Sequence, residues 1–249
     1  SFESAMADDN GNERSAGAFA VDYTAPKWFS VLRYSWVEPG FNPGLGYTSL
    51  DDRRGFESFT EFNANPRTGP CRYQGGSLWI QSKERYDGSN RVKTASASYG
   101  VVTRSDMYLG TDVNLEEFGD ESEQTFGLNL GLNTSNNQRN LFAYANTGER
   151  DGHHTSYTSI NGKIRLWNKF DFGLGYAQQQ YLGTYDQTVL TIGWEMDAKR
   201  SITARTVWSN GDTNAYLAYK SAGFSGLDWY IIVGDPNASE WTNRIAAKV

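Results

Sequence analysis

Residues 124–133 read Gln-Thr-Phe-Gly-Leu-Asn-Leu-Gly-Leu-Asn. In an extended chain Phe126, Leu128, Leu130 and Leu132 point one way, and Thr125, Gly127, Asn129, Gly131 and Asn133 the other. Period two marks a strand with one apolar and one polar face. The pattern recurs. Phe170, Phe172, Leu174 and Tyr176 alternate with Asp171, Gly173, Gly175 and Ala177. Leu190, Ile192, Trp194 and Met196 alternate with Thr191, Gly193, Glu195 and Asp197. Ile160, Ile164 and Leu166 alternate with Ser159, Asn161, Lys163 and Arg165, and Ile245, Ala247 and Val249 with Arg244, Ala246 and Lys248.

This periodicity predicts strands near 16–24 and 28–37, joined at Ala25-Pro26-Lys27, and then near 71–86, 91–103, 107–116, 124–133, 139–147, 155–166, 169–179, 187–197, 201–209, 213–220, 227–234 and 240–249. That makes about fourteen, at the length membrane-barrel strands need. No 3.6-residue period appears, and signals such as Asp87-Gly88 and Asn210-Gly211-Asp212 punctuate strands without dividing domains. Residues 1–15 predict a polar loop. Asp8, Asn10 and Asn12 alternate like calcium-loop ligands, but Glu13 stands where that loop needs Gly.

Between Glu38 and Pro70 the alternation stops. The segment holds Pro39, Pro43, Pro66 and Pro70. It reads as one long irregular insert, and Phe41, Tyr47, Phe56, Phe59 and Phe62 make it too aromatic for a plain linker. Short connections near 104–106, 134–138, 167–169 and 198–200 alternate with longer polar ones at 117–123, 148–154, 180–186 and 210–212. Short turns on one side and long loops on the other suit an up-and-down outer-membrane barrel. A Greek-key sandwich has no reason to keep that alternation.

Composition fits the same picture. The 249 residues are 38% hydrophobic, low for a thick core, and 14% aromatic, with 26 Gly. A single-layer barrel with a wet interior and aromatic girdles has this balance; so has a carbohydrate-binding sandwich. A net charge of −6 argues against nucleic acid as a partner. Cys71 is the only cysteine, so neither an internal disulfide nor a cysteine zinc site can form. No run of 18 apolar residues predicts a transmembrane helix.

Phe41-Asn42-Pro43-Gly44-Leu45-Gly46-Tyr47, then Asp51-Asp52-Arg53-Arg54, then the ending Arg244 to Val249, carry a resemblance. The chain resembles the uncharacterised bacterial outer-membrane barrel domain that often follows a family 9 carbohydrate-binding-type module. The resemblance implies the C-terminal part of such a barrel, with no established enzymatic activity.

Asp51, Asp52, Arg53 and Arg54, with Glu57 and Glu61, form the densest charge cluster of the insert. They are candidates, with Arg165, Glu195 and Arg205, for a lumen or ligand site, or for a latch onto those wall charges; solvated surface pairs are the plain alternative. Trp167, Trp194, Trp208, Trp229 and Trp241, spread over many strand ends, are candidates for an interfacial belt. Glu57 and Glu61 read only weakly as a glycosidase pair. His153 and His154 fall in a polar loop with poor metal geometry, and no further histidine serves a nucleophile. No catalytic residue, metal or cofactor is expected. Leu128, Leu130, Leu174, Ile192, Trp194, Leu217 and Ile231 are expected to face lipid, and Asn129, Lys163, Arg165, Glu195 and Arg205 the interior. Strand parity puts the acidic segments 116–123 and 148–154 at one end, and the 38–70 insert at the other, periplasmic end as a cap or lumen plug. The expectation is therefore a single transmembrane β-barrel over 1–249 in the bacterial outer membrane. Its partners are lipid and other outer-membrane or periplasmic proteins, and its role is passage, anchoring or assembly. The alternatives are a secreted glycan-binding module and, behind it, a glycoside hydrolase.

Overall fold

The computed structural model describes residues 1–9, 12–41, 52–223, 228–238 and 240–248. These residues form sixteen strands: β1 Phe2–Asp9, β2 Asn12–Ala25, β3 Trp28–Val37, β4 Arg53–Ala64, β5 Cys71–Glu84, β6 Asn90–Thr103, β7 Met107–Phe118 and β8 Glu121–Leu132, followed by β9 Arg139–Arg150, β10 His153–Leu166, β11 Phe170–Gln180, β12 Thr184–Glu195, β13 Arg200–Ser209, β14 Asp212–Ala222, β15 Asp228–Gly234 and β16 Ile245–Lys248. They make one antiparallel sheet in which every strand pairs with its neighbours in sequence, from β1 to β16. No helix occurs among the described residues.

Twelve expected strands from Cys71 onward are present as β5 to β16, and the pair at 16–37 as β2 and β3. Two strands were hidden. The polar loop expected over 1–15 is instead β1 and the start of β2. The insert is not irregular throughout: residues 53–64 form β4, paired along its length with β3 and β5. Phe56, Ser58, Thr60 and Phe62 share one face of β4, but Phe59 lies on the other among Glu57 and Glu61. That break in the alternation masks the strand in the sequence.

A strand in the middle of the insert also changes the parity. β3 ends and β4 begins at the sheet end that carries the turn at 85–89. Only 65–70 lies at the end that carries 104–106. Within the segment expected as a plug, residues 53–64 are a strand of the sheet, and residues 42–51, with Asp51, fall outside the described residues.

The expected long loops are corrected as well. β7 and β8 are joined by Gly119-Asp120, β9 and β10 by Asp151-Gly152, and β11 and β12 by residues 181–183. Asp151 (φ 50°) and Gly152 (φ 74°) both adopt positive φ, as a two-residue type I′ hairpin turn requires. Asn210-Gly211 does the same. The charged flanks are strand, cross-linked by Lys93–Glu117 at 3.2 Å and by Gln124 donating to Glu149 at 3.2 Å.

The chain divides into two compact units. The first comprises Ser1–Arg104, Leu109–Leu128 and Thr147–His154; the second comprises Ser105–Tyr108, Asn129–Asn146 and Thr155–Val249. In the first, the row Val21–Leu32–Ser58–Ile80–Ala95 crosses five strands on one face. The opposite face carries the row Arg33–Glu57–Gln81–Thr94. In the second, Ile164–Phe172–Ile192–Ala204–Leu217–Val233–Ile245 is one unbroken apolar row over seven strands. Beside it on the same face runs Leu166–Phe170–Trp194–Ile202–Tyr219–Ile231–Ala247.

Candidate functional site

Each unit leaves its apolar face uncovered. Leu174 is 57% exposed, Leu128 55% and Phe56 55%. The buried side chains are mixed: Ser35, Lys83, Thr94 and Thr125 lie beside Ala18, Val37, Phe41, Ala64 and Val92 in the first unit, and Asn214 is buried in the second. The described residues include no large side chain that is fully buried. A water-soluble sandwich has the opposite arrangement, with apolar residues inward. Leu128, Leu174, Ile192, Trp194, Leu217 and Ile231 are all exposed on their apolar faces and Leu130 is half-buried, while Asn129, Lys163, Arg165, Glu195 and Arg205 take the alternate face.

Aromatic rows border this apolar face. In the second unit Phe170 and Trp194 stack at one end, with Trp167 edge-on to Phe170 and Trp229 against Tyr219. Tyr176 and Trp208 close the other end across Thr188. Trp241 stands at that same end, its amide bonded to Thr213 O at 2.9 Å. In the first unit Trp28–Phe62 and Tyr34–Phe56, each with ring centroids 4.8 Å apart, hold the two ends. The two aromatic rows are six residues apart along the strand in both units, about 20 Å. Tyr and Trp suit such borders because one edge is apolar and the other takes a hydrogen bond.

The polar face of the first unit carries a charge cluster centred on Gly55. Its pairing partners are Ser35 on β3 and Lys83 on β5. Arg53 and Glu57 flank it on β4. Lys83 Nζ donates to Glu57 Oε2 at 2.8 Å, with only 5% of the lysine side chain exposed. Arg33 donates to Glu57 Oε1 at 3.4 Å. The Arg53 Nε is buried without a partner. Gly55 has φ +152°, and a Cβ there would meet Ser82 O at 2.1 Å, so no other residue fits this strand pairing. A cleft of about 580 Å³ lies over the cluster.

The other sequence candidates are distributed. Asp52 accepts from the Tyr86 amide at 3.0 Å. Arg54 lies on the other side of β4, paired with Glu84 at 2.9 Å and with its guanidinium over the Tyr86 ring. Glu61 accepts from Asn63, whose carbonyl accepts from Tyr73. In the second unit Arg165 bridges Asp171 at 3.3 Å and Glu195, and also donates to Asn168 O at 2.9 Å. Arg205 stands between Thr191 and Tyr216. Arg54 and Glu57 take their partners from adjacent strands of their own unit. Lys83 and Arg33 were missed by sequence reasoning. Only β4's existence brings them together, because Glu57 is their shared partner. Comparison with protein-family models, with curated proteins and with solved structures returns no match.

Proposed function

We propose that the chain is a bacterial outer-membrane β-barrel. The sheet closes on itself, the apolar face meets lipid, the charged face lines an aqueous interior, and the role is passage, anchoring or assembly without catalysis. One observation carries this reading: in both units the apolar rows lie on the uncovered face while lysine, arginine and carboxylates occupy the other. In water such rows would be a large aggregation-prone patch; in a bilayer they are what an outward barrel face requires. The aromatic borders and the strictly sequential strand order support the same reading, as does the resemblance of 41–54 and 244–249 to the outer-membrane barrel family.

A glycosidase is disfavoured by β4 itself. Glu57 and Glu61 are four residues apart on one strand, about 13 Å at the backbone, and Glu57 is engaged by two cations. Paired catalytic carboxylates sit about 5–9.5 Å apart. The test is fractionation of the expressed protein followed by gel migration before and after boiling. The reading predicts detergent-dependent solubility and a heat-modifiable band. Full solubility without detergent and a single unshifted band would instead favour the soluble glycan-binding module.

A further inference from the structure

We propose that the cleft over Gly55 binds a small oxyanion, of the carboxylate or inorganic phosphate class. This goes beyond the membrane reading and does not require it, since every contact used lies within one unit.

The cleft holds more donors than acceptors among its described lining residues. Three cations, Arg33, Arg53 and Lys83, line the cleft, against Glu57 within it and the exposed Glu3 at its rim. Glu57 already accepts from both Lys83 and Arg33. Among the described lining residues one positive charge is left in excess, and the Arg53 Nε is buried with no acceptor. A buried donor without an acceptor costs more than the same donor bonded. Guanidinium forks match the spacing of oxyanion oxygens, and such charge-assisted bonds are the strong ones. Gln81 adds a neutral donor at the wall. A small anion seated there would complete the donor set and neutralise the excess charge.

The experiment is calorimetric titration of the detergent-solubilised full chain with inorganic phosphate, with circular dichroism of each variant as the control for folding. The wild-type chain is expected to bind phosphate, with sulfate competing and glucose not. Arg53→Gln should weaken binding about tenfold, the loss of one charge-assisted bond. Arg200→Gln, at the start of β13 in the other unit, should leave it unchanged. If Arg53→Gln does not fold, the sulfate and glucose competition on the wild-type chain decides. No phosphate binding by the wild-type chain overturns the proposal. So does equal weakening by Arg53→Gln and Arg200→Gln, or displacement of phosphate by glucose.

Discussion

Phe170 and Trp194 lie on adjacent strands with ring centroids 5.9 Å apart and planes within 3° of parallel, on a face that no second layer covers among the described residues. Two large stacked rings at the border of an exposed apolar face have little reason to persist in water. Their position follows from register: Phe170 pairs directly with Trp194, and the pair closes the row that Leu174, Ile192 and Leu217 lie beyond.

A charge within that apolar face should be costly. Leu174→Arg places a cation between the two aromatic rows, where a lipid-facing barrel loses about 2–4 kcal/mol. Asn161→Arg, on the polar face of the adjacent strand, should be tolerated. Recovery of heat-modifiable protein in the membrane fraction separates the two, and equal recovery would count against the assignment of faces.

Breaking the buried pair on the polar face should also show. Lys83→Met leaves Glu57 hydrogen-bonded only to Arg33, at 3.4 Å, with Arg53 acting on it through charge alone. Removing one partner of a buried pair costs about 3 kcal/mol or somewhat more, and the remaining arginine should keep the loss near the lower figure. The double variant Lys83→Met with Glu57→Gln should regain most of it, as read from urea unfolding in detergent. A double variant no more stable than Lys83→Met would show that the pair is not the source.

Most strands were legible in the sequence because their apolar face is unbroken. Phe126, Leu128, Leu130 and Leu132 leave no other reading. β4 was not legible, since Phe59 falls on its charged face, near Phe29 with ring centroids 6.3 Å apart, and prolines flank it. β1 is short and polar at its end, so it reads as loop. The acidic segments at 117–123 and 148–154 look like loops by composition, yet they are strand. Asp151-Gly152 supplies a tight turn at the tip, and the charges pair with strands of the neighbouring hairpins, Lys93 with Glu117 and Arg150 with Glu123. The Gly55 cluster could not be read at all without β4, because Arg33, Glu57 and Lys83 are far apart in sequence.

The turn at Asp151-Gly152 gives a local test. Gly152→Val forces a β-branched residue to φ near 74°, which should cost about 1–2 kcal/mol. Gly152→Asn should cost less, since Asn tolerates that region. Thermal or urea unfolding of the two variants should rank them in that order. The same turn and Gly119-Asp120 lie at one end of the sheet, so epitope tags in either should both be reachable from outside intact cells. Reachability of only one would contradict the strand order.

The turn at residues 196–199 predicts a pH dependence. The Arg200 side chain, first, and the Lys199 amide hold the Asp197 carboxyl below its ordinary pKa. A group lowered on folding stabilises the turn above the ordinary carboxylate range, and that contribution is lost as pH falls through its own lower pKa. Carboxyl-carbon NMR should therefore show Asp197 titrating below an unpaired aspartate, and Arg200→Gln should return it toward the ordinary value. Titration unchanged by Arg200→Gln would rule out that cause.

The central claim is that one face of each strand meets lipid and the other water. The most direct measurement replaces Cys71 with Ser, places single spin labels at successive positions 189–194 of β12 in the bilayer-reconstituted protein, and reads collisions with oxygen and with a water-soluble nickel complex. Labels at Leu190, Ile192 and Trp194 should be oxygen-accessible and shielded from nickel, and labels at Val189, Thr191 and Gly193 the reverse, in strict alternation. Equal nickel accessibility at both sets, or failure of the folded chain to enter bilayers, would contradict it.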